Sequence, residues 1–430
     1  MTTHNSERVG ERLGGCDPST LAAQFSTPLL VVDEVWLRAR MRRFRAAFER
    51  DGRDASVTYA GKALLIAAVA RIADEEGLFV DVCSLGELET ALRGGVPADR
   101  CIMHGCYKTR DELAAAVDRR VRHVVVDHES EITALADIAR DASSSVDVLL
   151  RLNPSIAAHT HELIQTAAPA SKFGFSLADT QAIDAVRATL ARPELRLSGI
   201  HCHLGSQIRE LRTYADAIDA LISFSETAQR QTGARFEIVD VGGGLAIGDA
   251  DGSAEPTPEA WADELFAALD RRLAGSARGR PHLYVEPGRA LVASAGTTLY
   301  RVGVRKRLPD GRDALIVDGG MSDNPRPALY GARYGVSIAG RESEAPTGSF
   351  TIFGRHCETD RLFPDVELPD PREGDLLAVR DTGAYTYSMA SNYNRFVRPA
   401  VVLAANGRAR LVARRESLDR VLDLDVTEDA

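Results

Sequence analysis

Residues 56–104 read SVTYAGKALLIAAVARIADEEGLFVDVCSLGELETALRGGVPADRCIMH. Three short apolar, β-rich runs lie in this stretch: Ser56–Ala60, Phe79–Cys83 and Cys101–His104. Between them, ALLIAAVARIADEEG and SLGELETALRGG carry apolar residues at three- and four-residue spacing, the mark of amphipathic helices. Strands alternating with helices imply parallel pairing. Downstream, the same unit recurs at His123–Val126, Val146–Leu152, Leu197–His203, Phe236–Val241 and Leu283–Glu286. Eight units over about 230 residues match the count and size of a (β/α)8 barrel. A doubly wound sheet is the competing arrangement, and the count of eight decides for the barrel.

After Gly288 the texture changes. TTLYRVGVRKRL, DALIVDGG, GSFTIFGRH, GDLLAVRD and ARLVARRE are strand-like, separated by turn residues, with little helical pattern. They predict a mainly β domain over 291–430, joined by the early strand TPLLVVDE within 25–37. The barrel then spans 38–290, and the polar opening, 1–24, reads as a flexible leader without a signal core.

The 430 residues suit two domains, and 44% hydrophobic with 27% charged residues is ordinary for a globular protein. No apolar run approaches the roughly 18 residues of a membrane span. A formal net charge of -10 argues against a nucleic-acid partner. The six cysteines are scattered without zinc spacing, so no metal is expected, and reduced thiols point to the cytoplasm.

Barrel enzymes work at the C-terminal ends of their strands. Here those ends gather polar and glycine-rich residues. The first run exits through Gly61-Lys62, the second carries Asp81, and the third ends at His104-Gly105. The fifth leaves through Arg151 and Asn153. The sixth carries His201 and His203, then Gly205-Ser206. The seventh ends in Gly242-Gly243-Gly244 and the eighth in Glu286-Pro287-Gly288-Arg289. The last two ends are the usual phosphate seat of this fold. Glycines let backbone N–H groups approach an anion, and Arg289 adds charge-assisted donors. A lysine in such a mouth is partly desolvated and can form a Schiff base, although most lysines are simply surface residues. Lysine, phosphate seat and carboxylate together suggest pyridoxal 5'-phosphate, with Glu286 holding the pyridine nitrogen protonated. That makes the ring a strong electron sink, suited to decarboxylation. His203 could stack on the ring or be a plain core histidine.

The segments YAGKALL, DVCSLGELETALRGG, RLNPSIAAHTHELIQT, SKFGF, HCHLGSQI, VDVGGGLAI, VEPGRALV, GGMSDNPRPALYGA, GRHCETD and GAYTYSMASNYN resemble those of the diaminopimelate decarboxylase family, one of the fold-type III decarboxylases. The resemblance covers roughly residues 25 to 420. It implies an alanine racemase-like barrel with a β domain and a homodimer that shares its active sites. By the same resemblance, Lys62 carries the cofactor with Asp81 nearby, and His203 stacks on it. Ser206, Gly243, Gly244, Gly288, Arg289 and Tyr385 hold it, and Glu286 meets the pyridine nitrogen. Arg289, Arg326, Tyr330, Glu358 and Tyr385 form the substrate grip, and Cys357 from the second subunit protonates the product. The implied reaction turns meso-diaminopimelate into L-lysine and carbon dioxide, a step of lysine biosynthesis.

Two departures stand out. The family's Cys-Glu-Ser-x-Asp is Cys357-Glu358-Thr359-Asp360 here, one residue short, and HGCYK replaces HGNNK. The first leaves open a decarboxylase of a related amino acid in a specialised pathway. A racemase would carry arginine in place of Glu286. A catalytically dead relative would lose Lys62 or Cys357, and both are present.

Overall fold

The computed structural model of the protein describes residues 12–156, 171–248, 253–275 and 279–426. Residues 157–166 of the RLNPSIAAHTHELIQT segment and residues 1–11 of the opening lie outside these. The chain divides into two compact units. One holds residues 40–247 and 254–290, and the other is built from residues up to 39 and from 291 onward.

The strand β1 (Leu29–Asp33) belongs to the second unit. The first unit contains β2 (Ala55–Ala60), β3 (Phe79–Val82), β4 (Cys101–Met103), β5 (His123–Val126) and β6 (Val146–Asn153), followed by the two-residue β7 (Phe175–Ser176). It continues with β8 (Leu195–His201), β9 (Ile238–Asp240) and β10 (His282–Val285). Apart from β7, which pairs only at the outer end of β6, these form a parallel ring. The order is β5-β4-β3-β2-β10-β9-β8-β6, closed by β5 against β6. This is an eight-stranded barrel, and each strand begins and ends within two residues of the run expected for it.

The local chemistry explains the alternation of strands and helices. Ser84 caps the helix Leu85–Gly94 by accepting the Glu87 N–H, and Gly95 ends it at φ 93°. Thr109 and Glu112 form a reciprocal capping box at the start of Arg110–Arg119. Such caps satisfy the orphan donors of a first turn.

Because side chains alternate along a strand, every second residue faces the barrel interior. Phe79, Ile102, Val125, Leu149, Ile238 and Tyr284 pack together there as an apolar floor. Two residues further along the same strands come Asp81, His104, Asp127, Arg151, Asp240 and Glu286, all buried. An ionisable layer therefore sits directly on a hydrophobic one.

The second unit is a nine-stranded sheet. It adds β11 (Gly296–Arg307), β12 (Asp313–Val317), β13 (Val336–Ile338), β14 (Gly348–Phe353), β15 (Arg361–Leu368), β16 (Leu376–Arg380), β17 (Ala400–Ala405) and β18 (Arg408–Ala413). Its order is β15-β14-β12-β11-β1-β17-β18, with β16 against β11 and β13. The early β1 lies in its middle, antiparallel to β11 and parallel to β17. The opening of the chain is not a loose leader where it is described. Asp17 caps a helix, Pro18–Phe25, and Cys16 and Leu21 are buried in the core beneath β1 and β17. A polar composition concealed those two apolar anchors.

Candidate active site

The mouth of the barrel collects the residues that the sequence placed at strand ends. Lys62 lies in the 3-10 turn Gly61–Ala63 that ends β2, and its side chain is exposed. The chain has four lysines. Lys306 is exposed near the end of β11, and Lys172 lies against the Phe173 ring at 5.0 Å. Lys108 is fully buried: its Nζ donates to Gly105 O at 2.9 Å, Val125 O at 2.7 Å and Glu131 Oε1 at 2.6 Å. Held by three acceptors and fully buried, its Nζ is not accessible to a carbonyl compound. Lys62 is therefore the lysine of the mouth suited to a Schiff base.

Lys108 also accounts for the HGCYK departure. The lysine of the motif is kept as a structural clamp, while Tyr107 is 73% exposed and Cys106 partly so. The changed positions face outward.

Glu286, just beyond β10, is 3% exposed and sits between two histidines. His104 Nε2 is 2.8 Å from its Oε1, and His201 Nε2 is 3.2 Å from its Oε2. Burial alone would raise the carboxyl pKa, but the two histidines outweigh it and hold Glu286 well below the usual range. Burial pushes His201 down to about 4, so it stays neutral. Burial, and then the neighbouring Glu286, push the Asp240 carboxyl well above its ordinary value. Asp240 is therefore the protonated member of that pair, and its Oδ1 accepts the Gly242 N–H at 2.8 Å. Asp81 is raised to about 6, chiefly by burial, with His104 and Lys62 pulling the other way. The Glu286, His104 and His201 ligand atoms lie within 4.8 Å of one another, a spacing a small cation would also accept. The ion pair of Glu286 with His104 and its hydrogen bond with neutral His201 already explain it.

The neighbouring strand ends, after β9 and β10, are built for an anion. Arg289 donates from Nε and Nη2 to Ser206 Oγ, each at 3.2 Å. The three glycines after β9 need to be glycine. A Cβ on Gly243 would stand 2.0 Å from Glu286 O, and Gly244, at φ 98°, would press one to 2.3 Å from Gly205 O. Gly242 gives its N–H to Asp240, and Gly243 gives its own to His203 Nδ1 at 3.1 Å. That bond fixes the His203 tautomer, with the proton on Nε2. Burial, then the Lys62 charge, drive His203 well below its ordinary pKa, so it is a neutral ring. Ser206, Arg289 and the Gly244 and Gly288 backbone form a donor set for a phosphate. An ionised carboxylate to hold a pyridinium N–H and a lysine amine complete a set that fits pyridoxal phosphate.

In the β unit the remaining expected residues form two groups. The Arg326 guanidinium lies over the Tyr330 ring at 4.9 Å and the Tyr385 ring at 5.5 Å. Cys357 and Glu358 are exposed on the loop between β14 and β15. Asn394 Oδ1 accepts the Cys357 N–H at 3.1 Å, and the Tyr393 hydroxyl donates to Glu358 Oε1 at 2.6 Å. The shortened motif closes on Asp360 at φ 40°, whose carboxylate accepts from the Met321 N–H and the His356 N–H and ring. Sequence reasoning gave no role to His104, Asp240 or Tyr393. The first two follow an inward apolar residue by two positions, which was the available signal.

An eight-stranded barrel whose mouth holds a lysine, an anion seat and a buried anionic carboxylate defines an enzyme of pyridoxal chemistry. The family of pyridoxal-dependent decarboxylases, through its pyridoxal binding domain, matches residues 35–293. Diaminopimelate decarboxylase of Bacillus subtilis is 40% identical over 99% of this chain and 98% of its own. That of Actinosynnema pretiosum is 45% identical over 98% and 93%. The crystal structure of the M. jannaschii diaminopimelate decarboxylase in complex with L-lysine superposes with a TM-score of 0.88. It is 31% identical, covering 96% of this chain and 95% of that one. The chain belongs to the pyridoxal-dependent decarboxylases, and within them to the diaminopimelate decarboxylase family.

Proposed function

We propose that the protein removes the carboxylate of the D-configured centre of meso-diaminopimelate as carbon dioxide and releases L-lysine. The observation that carries this is Glu286, a buried carboxylate kept ionised by two histidines in the same barrel mouth as Lys62. Pyridoxal phosphate, when bound, supplies the electron sink for the bond that loses carbon dioxide. Lys62 Nζ tethers it, and Asp81 lies beside that amine. Ser206, Gly244, Gly288, Arg289 and Tyr385 receive the phosphate, whereas the Gly243 N–H, expected among them, is given to His203 Nδ1 instead. His203, neutral and pinned by the Gly243 N–H, offers a flat face to the ring. Glu286 holds a proton at the ring nitrogen.

The substrate's retained carboxylate suits Arg289 and Arg326, whose guanidinium forks match it bidentately. Tyr330 and Tyr385 bracket Arg326, and Glu358, held by Tyr393, meets the distal ammonium. Cys357 Sγ delivers a proton to the carbon that lost its carboxylate. Cys357 comes from a second copy of the chain, so the working unit is a homodimer with shared sites. We place the reaction in the cytoplasm, consistent with six free thiols and with no helix among the described residues long and apolar enough to cross a membrane.

The tight turn after Glu358 favours one second reading, a related diamino acid as substrate. Incubating holoenzyme with meso-diaminopimelate, lysine, ornithine and an N-blocked diaminopimelate, with products identified by mass, separates the two. Conversion of meso-diaminopimelate in preference to the others is expected. Preference for ornithine or the blocked compound would replace the proposal by the second reading.

A further inference from the structure

His104 takes no part in the proposed reaction, yet it occupies the centre of the ionisable layer. Its side chain is 8% exposed. Nε2 lies 2.8 Å from Glu286 Oε1 and 4.0 Å from Asp81 Oδ1. The ring of His201 meets it edge-on at 5.1 Å between centroids. The charged groups facing it are Asp81 from β3, Glu286 from the end of β10 and Lys62 from the end of β2, with neutral His201 from β8. A buried charge is tolerated only when it is paired. Two carboxylates against one imidazole favour its cationic form, and the His104 pKa is raised although burial alone would lower it. The row from Lys62 through Asp81 and His104 to Glu286 therefore alternates in sign. One end of the row is the amine that tethers the cofactor, and the other is the carboxylate that faces its ring nitrogen.

Resting on the function proposed above, we propose that His104 is a positioning residue: as an imidazolium bridging Asp81 and Glu286, it keeps Glu286 anionic and couples the lysine end of the cofactor site electrostatically to the ring-nitrogen end. The bland alternative is a histidine that fills space on the apolar floor. Removing the charge at nearly constant volume tells the two apart.

The test is His104→Gln in the holoenzyme, read by the pH titration of the visible band of the lysine-bound cofactor. Loss of a nearby cation favours the protonated linkage, so its spectral pKa should rise by about one unit. His104→Asn carries the same loss of charge in a smaller side chain and should shift the same way. At saturating substrate kcat should fall by about ten- to a hundredfold, the usual weight of a partner that orients a reacting group, with KM changed much less. Because His104 acts through Glu286, adding His104→Gln to Glu286→Gln should lower kcat by no more than about twofold further. A native spectral pKa in both single variants, or full additivity in the double variant, would overturn the proposal. A native protein with no visible band would overturn the cofactor reading itself, which is a separate result.

Discussion

Lys108 and Lys62 both follow barrel strands, and replacing each should have opposite consequences. Lys108→Met removes an ammonium with three acceptors within 2.9 Å and leaves Glu131, 1% exposed at its side chain, without its lysine partner and with only the His128 ring 4.0 Å away. The other Glu131 oxygen accepts the Asp127 N–H at 2.9 Å, so the damage reaches the end of β5. Breaking a buried pair by removing one partner costs about 3–5 kcal/mol, against roughly 5–15 kcal/mol for a whole domain. In a unit of this size that corresponds to a fall of about 10 °C in melting temperature. The assay is urea unfolding of the apoprotein followed by far-UV circular dichroism, with the midpoint shift converted through m. Replacing both partners, Lys108→Met with Glu131→Leu, should restore most of the loss, because no charge is then stranded. At low temperature folded Lys108→Met should keep the visible band of bound cofactor. A loss below about 1 kcal/mol, or a folded variant without the band, would refute the assignment of Lys108 as a clamp.

Three further outcomes are expected. Glu286→Gln should keep the cofactor bound but lower kcat by roughly 10²–10³. An ionic contact near 3 Å at an effective dielectric of about 20 carries about 5 kcal/mol, of which the amide hydrogen bond returns about 1–2. A near-native kcat would give the carboxylate another task. Lys62→Ala and Cys357→Ala should each be inactive, yet recover about a quarter of native activity after subunit exchange, since half the dimers then hold one intact site of two. No recovery with exchange verified would refute shared sites. Burial depresses the buried His123 to about 4. Its unfolded form takes up protons first as pH falls from 6.5, so it contributes stability that is lost between pH 6.5 and 4. The loss is on the order of 3 kcal/mol. His123→Gln apoprotein should show a shallower drop in urea midpoint across that window than native, and equal slopes would contradict it.

The barrel was legible because each strand carries its own signal: an apolar run, a polar end and a helix of matching period. Even the ionisable layer was half written, since Asp81, His104, Asp240 and Glu286 each stand two residues beyond an inward apolar side chain. Which of them meet is a property of closure. His104 and Glu286 are 182 positions apart, and only the ring β5-β4-β3-β2-β10 brings them to 2.8 Å. Lys108 was hidden for the same reason, because two of its partners come from β5 and the following helix. The β unit was read by strand texture, but the short β13, the proline-containing β15 and the parallel pairing of β1 with β17 carry little local signal. The shortened loop after Glu358 looked like a lesion in sequence. In the structure it ends in an ordered turn, with Asp360 accepting from the Met321 and His356 N–H groups.

The decisive measurement is borohydride reduction of native holoenzyme followed by proteolysis and mass mapping of the pyridoxyl label. With four lysines in the chain the assignment is unambiguous. The label is predicted on the peptide bearing Lys62, with Lys108, Lys172 and Lys306 unmodified. A label on any of those three, or none at all, would contradict the account.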